Sequence, residues 1–196
     1  MMVEADPDVV ETRLAAGEYR CVVCHVGVLR PWAFARRRSL RKRGEFVAVR
    51  PRRARCAACL VTHVLLPTIA LLRRRDLAEV IGEALWARFG EGKSVDKVAE
   101  GAGVPHPDTA RSWCRRFSTK AEEIRCCCTA WAHHLDASLG AIEPRGSPEK
   151  DALEAIGVAA AAAARRLGPA PLWRAAAGIS GGRLLSNTSC PLPVDA

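Results

Sequence analysis

Aromatic residues make up only 5% of this 196-residue sequence, and they include a single tyrosine. So few rings leave little for base stacking, which counts against RNA recognition. They also make a large β-sandwich harder to build than helices packed through small side chains, and alanine and arginine are plentiful. Long apolar runs are lacking as well. Residues 60–72 are broken by His63 and Pro67, and 156–164 is short, so neither reaches the ~20 residues that span a bilayer. Residues 1–17 carry Glu4, Asp6, Asp8 and Glu11 where an export signal needs a basic start and an apolar stretch. The expectation is a cytoplasmic, nucleoid-associated protein that does not insert into a membrane. In that reducing setting nine cysteines are expected as metal ligands or buried thiols, not disulfides.

Acidic residues are missing from one segment in particular. Between Cys24 and Cys56, Arg30, Arg36, Arg37, Arg38, Arg41, Lys42, Arg43, Arg50, Arg52, Arg53 and Arg55 face Glu45 alone. The formal net charge of the whole chain is +9, so this stretch holds essentially all of the excess. A concentrated basic stripe is the electrostatic footprint of a nucleic-acid site. The plainer alternative is a solvated basic loop.

What the sequence does contain divides it by composition. Residues 1–18 form an acidic segment, readable as a frayed helix or tail. Residues 19–67 hold two cysteine pairs and the basic stripe, 73–120 show helical periodicity with start and stop signals, 121–183 are helical and Ala-rich, and 184–196 read as a flexible tail. The fold class expected is mainly α with a small β zinc ribbon: a helix-turn-helix three-helix core plus Ala-rich C-terminal helices.

The strongest motif is Cys21-Val-Val-Cys24 followed, after 31 residues, by Cys56-Ala-Ala-Cys59. Two residues between thiolates let one tight turn aim both sulfurs at one ion, and two such knuckles complete the tetrahedral shell that Zn²⁺ prefers. Cys21, Cys24, Cys56 and Cys59 are therefore the expected ligands of one structural zinc, with Gly27 permitting a sharp turn. His25 and His63 are the possible replacements for a thiolate. A closed four-thiolate site leaves no position for an activated water, so hydrolysis is not expected of it. The long spacer fits a β-hairpin, with strands over 29–37 and 45–55 and a basic turn over 39–44. Arg36, Arg37, Arg38, Arg41, Lys42, Arg43, Arg50, Arg52 and Arg53 would there meet phosphates.

Downstream, Asp76 and Glu79 have the spacing of a capping box for a helix over 77–89. Gly90 and Gly92 end it, and Ser94 is the expected cap of a second helix over 95–102. After a turn at Gly103, a third helix starts near Pro107 or Asp108. Ala110, Trp113, Cys114 and Phe117 share its apolar arc, while Asp108, Arg111, Ser112 and Arg115 lie opposite, with Arg116 at the margin. This is the pattern of a helix-turn-helix, with Arg111, Arg115 and Arg116 reading bases or holding phosphates and Thr109 and Ser112 contacting the backbone. An ordinary three-helix core with one basic face is the alternative.

Together the paired cysteines, Leu29-Arg-Pro-Trp32, His63-Val-Leu-Leu-Pro67, Arg73-Arg-Arg-Asp76 and Thr109-Ala-Arg-Ser-Trp113-Cys-Arg-Arg-Phe117 resemble a bacterial family of unknown function that joins a zinc ribbon to a helix-turn-helix. That arrangement is similar to the DNA-binding N-terminal region of insertion-sequence transposases. The resemblance covers roughly 19–120, and more weakly reaches Gly181-Gly-Arg-Leu-Leu-Ser-Asn187. It implies binding of double-stranded DNA in a mobile-element role, beside a separately encoded transposase or integrase. A protein-binding adaptor for such a transposase and a stand-alone transcriptional regulator are the alternatives.

Beyond residue 120 no β-branched strand pattern supports an RNase H-like sheet, so the carboxylates there are expected on solvated helical faces and no enzymatic activity is expected. Cys126, Cys127 and Cys128 with His133 and His134 do not make a second metal site, because neighbours on a helix diverge by ~100°. The alanine run at 159–164 suits close helix packing, within the chain or in a homodimer.

Overall fold

The computed structural model describes residues 1–185. Six α-helices and six strands lie within them, so the chain is mainly α with a small β portion. The strands come first, because β-branched and arginine-rich stretches alternate there, while alanine dominates the helical half.

Strand β1 (Met2–Val3) precedes helix α1 (Pro7–Ala16); then come β2 (Leu29–Phe34), β3 (Arg38–Lys42), β4 (Glu45–Val49), β5 (Arg52–Cys56) and β6 (Thr62–Pro67). One sheet has the order β1-β6-β5-β2, with β1 parallel to β6 and the other pairs antiparallel. The hairpin β3–β4 forms a second sheet by itself. The strand expected over 29–37 therefore ends at Phe34, the one expected over 45–55 is cut in two, and most of the basic turn expected over 39–44 is instead strand β3, leaving Arg43 and Gly44 as the turn. A bulge between Pro31 and Ala33 bends β2, and Pro51, which has no N–H to give a ladder, separates β4 from β5. The outer hairpin is thereby free to turn away from the cysteine-bearing sheet.

The acidic N-terminal segment is an ordered part of that sheet's core. Asp6 caps α1 by accepting from the Asp8 N–H at 2.9 Å, and Gly17 closes the helix at φ +73°, in the left-handed region. Val10 and Leu14 bury their side chains with Val3, Tyr19, Leu29, Ala54 and Leu65.

Helix α2 (Ala78–Leu85) runs into a π-helical turn, Trp86–Gly90, and is followed by α3 (Val95–Ala102), α4 (Pro107–Leu135), α5 (Pro148–Leu167) and α6 (Leu172–Ile179). Ser94 caps α3 as its sequence indicates, accepting from the Lys97 N–H at 3.4 Å. Ala110, Trp113, Cys114 and Phe117 are all buried, as the arc of α4 predicts. The capping box does not form. Leu77 precedes α2 without a side-chain cap, Asp76 is held by Arg41, and Glu79 pairs with Arg174. The sequence pattern allowed the local bonds, but longer-range arginines outcompete them.

Ala152, Ala155, Ala159, Ala160, Ala162 and Ala163 are buried within the chain, where α5 packs along α4. Cys127 and Cys128 are buried, in keeping with small apolar packing, whereas Cys126 is exposed. Leu184 and Leu185 are buried in the helical core, so the expected tail does not begin at 184; residues 186–196 lie outside those described. No helix among the described residues is long and apolar enough to cross a membrane.

Helix α6 packs tightly against α2 at Gly82. A Cβ on Gly82 would sit 1.8 Å from Trp173 Cδ2, whereas one on Gly157 of α5 would meet nothing within 4 Å. In an open helix Gly→Ala stabilises by about 1 kcal/mol, but overpacking costs about 1–3 kcal/mol. Urea unfolding should therefore show Gly157→Ala stabilised by up to ~1 kcal/mol and Gly82→Ala destabilised by ~1–2 kcal/mol. Equal shifts for the two variants would mean that Trp173 does not wedge against α2.

Candidate metal centre and arginine-lined cleft

The ligand atoms of Cys21, Cys24, Cys56 and Cys59 lie within 4.8 Å of one another. Among the described residues this is the one cluster of metal-binding type, and its cysteines are free of disulfides. The Sγ atoms of Cys21 and Cys59, and those of Cys24 and Cys56, are 3.6 Å apart. Four sulfurs at about 2.3 Å from one tetrahedral ion would be roughly 3.8 Å from each other, so the residues fit a metal of that coordination.

The two knuckles are built alike. The Val23 N–H points at Cys21 Sγ and the Gly27 N–H at Cys24 Sγ, each at 3.4 Å. In the second knuckle the Ala58 and Cys59 N–H groups point at Cys56 Sγ, also at 3.4 Å. The residues that take the left-handed turn are His25 (φ 60°) and Leu60 (φ 63°), each directly after its second cysteine. Gly27 matters for a different reason than the turn: a Cβ there would lie 2.2 Å from Cys56 Sγ, so only glycine lets the knuckles close on each other.

The electrostatics of the cluster favour a cation. The Gly27 and Val26 N–H groups hold the Cys24 thiol down at about 6. Cys56 is lowered too, first by the Cys59 N–H. The Val61 N–H pulls Cys59 down, but burial and the neighbouring thiols of Cys56, Cys21 and Cys24 outweigh it and push Cys59 up to about 12. Four thiolates so close together repel, and a divalent ion relieves that repulsion. His63, buried on β6, places Nε2 3.2 Å from Cys21 Sγ. Burial, followed by the charge of the N-terminal amine, lowers its pKa, so it stands as a neutral ring beside the thiolate set. His25 is not part of the cluster.

The basic residues divide into three groups. Arg43 pairs with Glu83 at the hairpin tip. Arg52 pairs with Glu11 at 2.7 Å, and Arg50 and Arg52 lie 4.7 and 4.4 Å from the centre of the Phe34 ring, beside a separate 210 Å³ cleft against α1. Arg41 is bound to the buried Asp76 at 2.7 Å. These four are engaged within the fold. On α4, Arg111 pairs with Asp108, Arg116 lies 3.5 Å from Ser112 Oγ, and the Arg115 side chain is exposed and makes no ion pair among the described residues.

Arg36, Arg37, Arg38, Lys42 and Arg53 are exposed and enter no ion pair among the described residues. The first three line a 680 Å³ cleft whose other wall is Arg73, Arg74 and Arg75. The same triplet, with Arg41, also lines a 400 Å³ cleft that contains Asp108, Thr109 and Ser112 from the first turns of α4. The two clefts therefore meet at shared residues and connect β3 to α4. Arg74 is partly buried, donates to the Leu185 carbonyl, and is lowered in pKa by burial and by Arg116. Arg73, Arg74 and Arg75 were legible in the sequence as a charge run before α2; their position opposite Arg36, Arg37 and Arg38 was not.

No protein-family model, curated protein or solved structure matches this chain.

Asp76 is the anion on which the hairpin's position depends. Its side chain is 4% exposed and that of Arg41 17%. Removing one partner of a buried pair costs about 3–5 kcal/mol, and Arg41 keeps some solvent contact. Chemical denaturation of Asp76→Ala should show a loss of ~2–4 kcal/mol, and a loss below ~0.5 kcal/mol would show that the pair does not anchor the hairpin.

Proposed function

We propose that this chain is a non-enzymatic, zinc-dependent binder of double-stranded DNA. The observation that carries the reading is the arginine-lined track that runs from β3, past Arg73 and Arg75, to the first turns of α4. Its unpaired guanidiniums suit a row of phosphates, and their bidentate geometry suits phosphate better than a point charge would.

In this reading α3 and α4 act as a helix-turn-helix. Four residues, Gly103 to His106, separate them, and Gly103 takes the left-handed conformation at φ 61°. His106 accepts from the Asp108 N–H at 3.2 Å and starts α4. Thr109 and Ser112 lie beside the track, while Arg111 and Arg115 project from the exposed side of α4. With phosphates on the track, that side of α4 would enter the major groove. Zn²⁺ is the ion the four thiolates suit, and its part is to hold β2, β5 and the knuckles in register.

The carboxylates past residue 120 support a role without catalysis, because Glu122, Asp136 and Glu154 pair with Arg125, Arg165 and Arg145. The resemblance of 19–120 to the DNA-binding part of insertion-sequence transposases supports a mobile-element accessory role.

Fluorescence anisotropy on a blunt duplex tests this directly. If 6–10 phosphates are contacted, affinity should drop ~10³–10⁵-fold between 50 and 200 mM salt. Replacing Arg36, Arg37 and Arg38 with alanine together should reduce the log–log salt slope by roughly 2–3. Affinity weaker than micromolar at low salt would overturn the reading. Metal analysis should find one zinc per chain, and chelation should abolish tight binding while circular dichroism shows most helix content retained. Undiminished affinity after complete zinc removal would detach the ribbon from the DNA-binding surface.

A further inference from the structure

One ring in the arginine track has no role in the packing of the protein. Phe46 on β4 is 70% exposed and lines the 680 Å³ cleft with Arg36, Arg37, Arg38, Arg73 and Arg75. It stands directly across from Arg41 in the hairpin ladder. Side chains alternate along a strand, and the neighbouring pair, Leu40 and Val47, turns the other way and packs into the helical core. The hairpin thus has one face buried in the protein and one face that offers a bare aromatic ring among cations.

A stacked duplex cannot use such a ring. Its base faces are hidden by their neighbours, and its outer surface in an arginine cleft is sugar and phosphate. An unpaired nucleotide can use it, because base and aromatic ring stack while the adjoining phosphates sit on arginine, the pairing found where single strands are held. The volume of the cleft also falls in the ~300–1,000 Å³ range of small-ligand sites, enough for a nucleotide. The arginines are available: Arg36, Arg37, Arg38, Arg73 and Arg75 make no side-chain hydrogen bond or ion pair among the described residues.

We infer that the cleft between the β3–β4 hairpin and Arg73, Arg74 and Arg75 holds an unpaired nucleotide at the junction of duplex and single strand, with its base on Phe46 and its phosphates on the arginines. This rests on the reading of the chain as a duplex-DNA binder and names the DNA structure that it prefers: a duplex with an unpaired extension, in place of a blunt one.

The test compares a labelled blunt duplex with the same duplex carrying a short single-stranded extension of either polarity, by anisotropy at one fixed salt concentration. The wild-type protein should bind one extended form more tightly, on the order of tenfold, the contribution of one stacked base. Phe46→Ala should remove that preference and leave blunt-duplex affinity unchanged, while Phe46→Trp should keep it. Because Phe46 is exposed, none of these variants opens the core, and circular dichroism verifies that each is folded. If the blunt duplex binds and neither extension improves affinity, or if Phe46→Ala weakens both forms alike, the inference is wrong and the duplex reading stands. If no DNA form binds at low salt, the duplex reading falls and takes the inference with it.

Discussion

The position of the β3–β4 hairpin depends on the ion pair between Arg41 and Asp76. Asp76 is 3% exposed and would be costly to ionise alone; burial raises its pKa, and the Arg41 guanidinium works against that rise. The backbone follows the side chains: the Arg41 N–H donates to the Arg75 carbonyl and the Leu77 N–H to the Arg41 carbonyl. Leu40, next in the strand, is thereby seated among the helical core residues. At the tip, Arg43 packs so near α3 that a Cβ on Gly103 would come within 2.7 Å of its backbone. A hairpin with four cationic residues, Arg38, Arg41, Lys42 and Arg43, is held against the helices by the buried Asp76, by Leu40 and Val47 in the helical core, and at its tip by the Arg43–Glu83 pair and the close approach to Gly103.

That placement brings the two basic regions together. Arg73, Arg74 and Arg75 immediately precede Asp76, so the residue that anchors the hairpin also presents the arginine triplet to Arg36, Arg37 and Arg38. The cost is visible at Arg74, which is crowded by Arg116 and whose Nε finds no partner among the described residues. A surface that concentrates cations at some expense to itself is what binding to a polyanion requires.

The metal centre solves a separate problem. The sheet β1-β6-β5-β2 has a small core, in which Tyr19 is the largest side chain, and α1 covers only one face of it. A domain with so little to bury gains most of its order from a cross-link. A metal ion held by the four clustered thiols would supply that cross-link at the end of β2 and β5 away from the hairpin. His63 adds a neutral ring against Cys21, a contact that required β6 to lie beside β5. Nothing in the spacing of His63 from the cysteine pairs distinguishes this contact from direct ligation.

Local chemistry was enough to determine some features from the sequence. The C-x-x-C pairs bring their own sulfurs together through short turns; Ser94 caps α3 because its hydroxyl reaches an N–H three residues on; and the arc of Ala110, Trp113, Cys114 and Phe117 buries itself because helical periodicity leaves it no choice. Features that depend on partners far along the chain were decided only by the tertiary structure. Asp76 was recruited by Arg41, 35 residues earlier, and not by the helix it precedes. Arg50 and Arg52, alike in the sequence to Arg36, Arg37 and Arg38, were drawn to Phe34, with Glu11 also holding Arg52. Charge in a sequence shows how many cations there are, but a cation's role depends on the nearest anion or ring, and distance in the fold sets that.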